Sequence, residues 1–228
     1  MNWMKKVAVA LVCLLPLGLQ AAKVDTLQVK SPSMDKSIEV VVVSPDVAAT
    51  KACPVIYLLH GYGGNARTWV GIKPDLPKIA DEKGIFFVCP DGKNTWYWDS
   101  PLNADVRYET FISNELVKYV DSHYKTVADR KGRAITGLSM GGHGAMWNGL
   151  RHSDVFSAAG STSGGVDIRP FPKNWEMSVQ IGEKAKYPEN WEKYTVINLV
   201  PTLRKDQIAL IFDCGDSDFF LEGNKNYH

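Results

Sequence analysis

The chain has 228 residues, 26 of them basic and 25 acidic, and 45% are hydrophobic. That is enough for one domain with a full core. With no basic stripe or polycationic run, there is no footing for nucleic-acid binding or for strong attraction to a membrane surface.

Residues 1–22 read as a secretory signal. Lys5 and Lys6 form the charged start, residues 7–15 an apolar run too short to anchor stably in a bilayer, and Pro16, Gly18 and Ala21-Ala22 a helix break followed by small residues for cleavage. The expected location is therefore secreted or periplasmic, with no stable membrane insertion after cleavage and a mature domain over 23–228. That domain keeps Cys53, Cys89 and Cys214, an odd number with no C-x-x-C pair, which disfavours a disulfide framework and a zinc site. Buried free thiols are the preferred reading, and one disulfide stays open.

Residues 24–29 and 38–43 are rich in β-branched side chains and flank a Ser31-Pro32-Ser33 turn, so they predict an antiparallel pair. Residues 55–59 and 85–89 are continuous apolar runs, typical of strands covered on both faces. A helix is predicted over 74–83, closed by Gly84, and another over 108–124 from the spacing of Ile112, Leu116, Val120 and Tyr124. Further strands are expected at 133–136, 155–160 and 208–212. Strands alternating with helices give an α/β fold, a mostly parallel sheet with helices on both faces. Residues 164–205 break the rhythm with Pro170, Pro172, Pro188 and Pro201. They read as a helical insertion capping the C-terminal end of the sheet; the alternative is two ordinary covering helices with irregular links.

The chemistry centres on Gly137-Leu138-Ser139-Met140-Gly141, a G-x-S-x-G motif between an apolar run and a helix-forming stretch. Strand, sharp turn and helix present the serine hydroxyl at the sheet edge with unpaired N–H groups behind it. Acyl transfer at such a serine needs an oxyanion hole, a base and an orienting acid. The Met140 N–H is the expected first oxyanion donor, and the Tyr62 N–H, in His60-Gly61-Tyr62-Gly63-Gly64, the second. The acid should follow a late strand: Asp218 is preferred and Asp216 is the alternative. His60 and His143 read as packing residues, and His123 and His152 fall near helix ends. The base should lie beyond Asp218, where the single histidine is His228. The expectation is that residues 219–228 are too few for the last helix and strand, so that the domain lacks them. Trp96 and Tyr97 are candidates to stack on a sugar or phenolic acyl group, against the alternative of a packed loop. Trp175 and Trp191 are candidates for the leaving-group side.

Five motifs appear together in one order: His60-Gly61-Tyr62-Gly63-Gly64, Pro90-Asp91-Gly92, Trp96-Tyr97-x-Asp99, the segment from Gly137 to Ala145, and Asp213-Cys214-Gly215-x-x-Asp218-x-Phe220. In this the chain resembles the esterase D family, which includes S-formylglutathione hydrolases, tributyrin esterases, and feruloyl and acetyl xylan esterase domains. The resemblance implies the α/β-hydrolase fold and a Ser-Asp-His triad, with Ser139 as nucleophile, Asp218 as acid, and Tyr62 and Met140 at the oxyanion hole. The family's Gly-Gly-His-x-Trp-like segment has no counterpart here. The implied activity is hydrolysis of short-chain acyl or carbohydrate-linked esters, acetyl or feruloyl, on a small molecule or polysaccharide, without cofactor or metal. The rival readings are a non-catalytic carbohydrate-binding relative and an acyltransferase to sugar hydroxyls.

Overall fold

The computed structural model describes residues 22–225, so nearly all of the predicted signal, and His228, lie outside the described residues. The chain forms one seven-stranded sheet in the order β1-β2-β4-β3-β5-β6-β7. The strands are β1 (Lys23–Ser31), β2 (Lys36–Ser44), β3 (Val55–Leu59), β4 (Phe86–Pro90), β5 (Arg133–Gly137), β6 (Ala158–Thr162) and β7 (Ala209–Asp213). The pairs β1/β2 and β2/β4 are antiparallel and all others are parallel.

Strand period explains how both faces are filled, because successive side chains point to opposite sides. On β3 and β4, Val55, Tyr57, Leu59, Phe86 and Val88 join one buried cluster. Their neighbours Leu58, Phe87 and Cys89 join the other, with Leu76 and Ala80. Those two residues belong to the helix Leu76–Lys83 (α2), which follows the short helix Thr68–Ile72 (α1) and ends on Gly84, whose left-handed φ of 62° closes it. The opposite face is covered by a continuous helix built from Tyr108–Thr110 (α3), a π-helical stretch Phe111–Leu116 and Val117–His123 (α4), and by Met140–Arg151 (α5). At the foot of this layer the buried Glu109 carboxylate accepts hydrogen bonds from Trp147 Nε1 (2.8 Å), Arg151 Nε (2.8 Å) and His152 Nε2 (2.8 Å), tying α3 to α5.

β6 starts later than its apolar residues suggest. The N–H groups of Val155 and Phe156 both donate to His152 O, at 2.9 and 3.0 Å, closing the end of α5 before the strand begins. The 164–205 segment carries Met177–Ile181 (α6), Pro188–Lys193 (α7) and a 3-10 turn Val196–Thr202. Tyr194 stacks on Trp147 of α5 at 5.2 Å, and Met177, Ile181, Trp191 and Val196 enter the main core. Among the described residues β7 is an edge strand, with Leu210 37% and Ile211 75% exposed. The short helix Leu221–Lys225 (α8) follows it. Cys53, Cys89 and Cys214 are all free thiols, and no helix of the described residues is long and apolar enough to cross a membrane.

Candidate active site

Ser139 sits between β5 and α5 with φ 55° and ψ −116°, a conformation that suits glycine and costs any other residue energy. Its N–H is held by Thr162 O at 2.9 Å. The flanking glycines are there for space. A Cβ on Gly141 would stand 2.2 Å from Leu59 O, and one on Gly137 would stand 2.3 Å from Gly141 O. Both obstacles are backbone and cannot swing aside. Because β5, β6 and β7 run parallel, Ser139, Ser163 and the loop after Asp213 all emerge at the C-terminal edge of the sheet.

The Gly61–Gly64 turn lies against the serine. Gly64 N–H donates to Gly61 O at 3.0 Å, and a Cβ on Gly61 would be 3.6 Å from Ser139 Cβ. Gly63 takes the positive φ, 76°, that a turn of this type requires. Two backbone donors near Ser139 stay unused among the described residues. Tyr62 N–H has no acceptor, and Met140 N–H, at the first position of α5, has no intrahelical one. Nor does the Ser139 hydroxyl hydrogen-bond within the described residues.

Beneath the turn the histidines are structural. His60 is buried; its Nδ1 lies 2.7 Å from Gly61 O and its Nε2 accepts from Gly92 N–H at 2.9 Å. This bond pattern fixes the tautomer with the proton on Nδ1. His143 is fully buried; Nδ1 donates to Gly165 O at 2.8 Å, while Nε2 accepts from Trp98 Nε1 at 2.9 Å. Burial lowers its pKa to about 4, against a smaller upward pull from the Gly165 bond, so it is neutral at pH 7. His123 bonds to Tyr119 O, and His152 to Glu109. All four imidazoles are thus committed elsewhere, and none of them serves Ser139.

Trp96 and Tyr97 are not a stacking platform. Their exposures are 1% and 0%, so neither offers a face to a substrate. One glycine of its own loop and one of α5 make room for Tyr97: a Cβ on Gly92 would stand 2.1 Å from its ring, and one on Gly144 would stand 2.4 Å away. Its hydroxyl donates to His60 O at 3.1 Å. Trp96 stacks on Trp98 at 5.6 Å and meets His143 edge-on at 5.2 Å. This loop is the floor of the site. Trp191 is likewise buried, with Nε1 donating to Gly182 O at 2.9 Å.

Asp218 follows β7 in a tight turn. Its Oδ1 accepts from Phe220 N–H at 2.8 Å, and its Oδ2 has no partner among the described residues. Asp216 is exposed and among the described residues its side chain bonds only to the neighbouring Ser217 hydroxyl, at 3.3 Å, while Asp213 faces Thr162 at 3.4 Å. Beside Asp218 stands an aromatic group of which the sequence singles out Trp175 but not Phe219. Phe219, 63% exposed, stacks on the half-buried Trp175 at 5.3 Å, and Phe171 and Phe220 pack behind. For Phe219 the sequence signal is its position next to the candidate acid.

A family model described as "Putative esterase" matches residues 31–227. An esterase of Mycobacterium tuberculosis is 33% identical over 123 residues, 51% of this chain but only 26% of its own length, so the chain spans about a quarter of that relative. An acetyl esterase of Caldicellulosiruptor saccharolyticus is 26% identical over 189 residues, 75% of this chain and 68% of its own. Among solved structures, a ferulic acid esterase superposes with a TM-score of 0.73 at 28% identity, covering 91% of this chain and 84% of its own.

Proposed function

Starting from the chain's membership of the esterase family, with its α/β-hydrolase fold, we propose that it is a serine carboxylic-ester hydrolase working through an acyl-enzyme. The observation that carries this reading is Ser139 itself. Its backbone is held at φ 55°, and among the described residues its hydroxyl and the nearby Tyr62 and Met140 N–H groups are unengaged.

In the reaction, Ser139 Oγ attacks the acyl carbonyl carbon and loses its proton to a base. The carbonyl oxygen becomes an oxyanion that accepts hydrogen bonds from the Tyr62 and Met140 N–H groups. Donors of this kind act without reorganisation, and losing one typically costs about 100- to 1,000-fold in kcat. The tetrahedral adduct collapses, the alcohol leaves with the proton, and water repeats the sequence on the acyl-serine. Asp218, with one oxygen unpartnered, is the acceptor for the Nδ1–H of the base. The four described imidazoles are engaged elsewhere, so none of them is placed as that base.

The substrate reading is a short acyl group, acetyl or feruloyl, on a small alcohol or a carbohydrate. The similarity to an acetyl esterase and a ferulic acid esterase supports it. So do Trp175 and Phe219, which offer an aromatic wall to a phenolic ring or sugar face. The pattern of residues 1–22 supports a secreted or periplasmic site of action. A second reading, a carbohydrate-binding relative without turnover, is favoured by one observation, the missing base among the described residues. Turnover of p-nitrophenyl acetate by the full chain and by Ser139→Ala separates the two. A rate abolished in the variant supports the hydrolase, and equal rates sink the nucleophile assignment. Adding a sugar acceptor and analysing products distinguishes hydrolysis from acyl transfer.

A further inference from the structure

The turn that carries Tyr62 is held from above by side chains with no counterpart in the reaction as described. Gly63 N–H donates to Asn94 Oδ1 at 2.9 Å, and Asn94 Nδ2 donates to Glu176 Oε2 at 3.2 Å. The same carboxylate acts on the Tyr62 hydroxyl, whose pKa is raised, first by desolvation and then by its hydrogen bond to Glu176 and that group's charge. Glu176 forms no ion pair among the described residues, so its acceptor capacity is directed at this loop.

The backbone that delivers Glu176 is under strain. Trp175 and Glu176 have φ of 47° and 53°, two successive non-glycine residues in the left-handed region. Such conformations persist only where surrounding contacts enforce them. Here Trp175 O accepts from Trp96 Nε1 at 3.1 Å, and Trp96, itself at φ 57°, is locked in the floor of the site. A buried anchor thus holds a strained turn whose exposed end reaches the oxyanion loop.

We propose that Glu176 is a positioning residue: through Asn94 it fixes the Gly61–Gly64 turn so that the Tyr62 N–H meets the developing oxyanion. The inference rests on the serine-hydrolase reading above. A displacement of about 1 Å in such a group can cost on the order of 100-fold, and a loosened loop should cost part of that. With p-nitrophenyl acetate, too small to reach a distant subsite, Glu176→Ala and Asn94→Ala should each lower kcat about tenfold with KM within about twofold. The double variant should lose less than the product of the two single losses, because both residues hold the same turn. Glu176→Gln keeps an acceptor for Asn94 and should stay near the wild type. A kcat for Glu176→Ala within about twofold of the wild type, or losses that multiply in the double variant, would overturn the proposal. Ser139→Ala, run in parallel, reports separately on the nucleophile. A readout independent of turnover is amide exchange at Gly63. It should quicken about tenfold in Glu176→Ala and not in Glu176→Gln; unchanged exchange in Glu176→Ala overturns the proposal even if the chain proves inactive.

Discussion

Replacing Ser139 by glycine should stabilise the protein while removing the proposed nucleophile. The serine adopts φ 55° and ψ −116°, outside the regions open to residues with a Cβ. A non-glycine residue so placed costs about 1–3 kcal/mol. Glycine relieves that strain but adds about 0.4–1 kcal/mol of unfolded-chain entropy to be lost on folding. The hydroxyl makes no hydrogen bond among the described residues, and the backbone bond to Thr162 O survives the change. The expected net gain is about 1 kcal/mol, which for a domain of this size raises Tm by about 2–4 °C. Ser139→Ala keeps the Cβ and the strain, so it is the control. Urea and thermal unfolding of the wild type and both variants would measure the difference. The reasoning is refuted if Ser139→Gly is no more stable than Ser139→Ala.

Gly141→Ala should cost more than about 3 kcal/mol, because the new methyl would meet Leu59 O at 2.2 Å and Leu59 C at 2.5 Å; Gly63→Ala, with no atom within 4 Å, should cost only about 1–2 kcal/mol for its positive φ, and urea midpoints would rank the two. His143 is held neutral by burial, with its pKa brought from 6.5 to about 4, so between those values the unfolded chain binds a proton that the folded one does not. Stability from this group is complete above pH 6.5 and falls as pH drops through that window, by at most about 3 kcal/mol; a His143→Gln variant should lose that part of the slope in urea titrations, and an unchanged slope would count against it. Ile211→Lys on the β7 edge, where the side chain is 75% exposed, should change stability by less than about 0.5 kcal/mol and raise solubility in a light-scattering assay.

The sheet was legible where the chain is most repetitive. The β-branched run ending at Val43 and the apolar runs of β3 and β4 leave no other stable use for those segments, because each side chain is needed on one face or the other. The elbow was legible from the spacing of Gly137 and Gly141 around Ser139, since that spacing answers a steric need. Aromatic exposure was not. Trp96 and Tyr97 look like a recognition surface until Gly92 and Gly144, far apart in sequence, open the space that swallows Tyr97. Glu176 was hidden for a related reason: nothing local marks two consecutive non-glycine residues for the left-handed region, and long-range contacts such as Trp96 Nε1 to Trp175 O hold them there. The β6 boundary moved because backbone bonds to His152 O, invisible in a hydropathy pattern, extend the end of α5.

The central claim is that Ser139 is an activated nucleophile. Its most direct test is mass spectrometry of the full chain after exposure to a fluorophosphonate. One adduct should form per chain, on the peptide containing Ser139, and none on the Ser139→Ala variant. An unlabelled wild-type chain, or label on any other residue, would contradict the account.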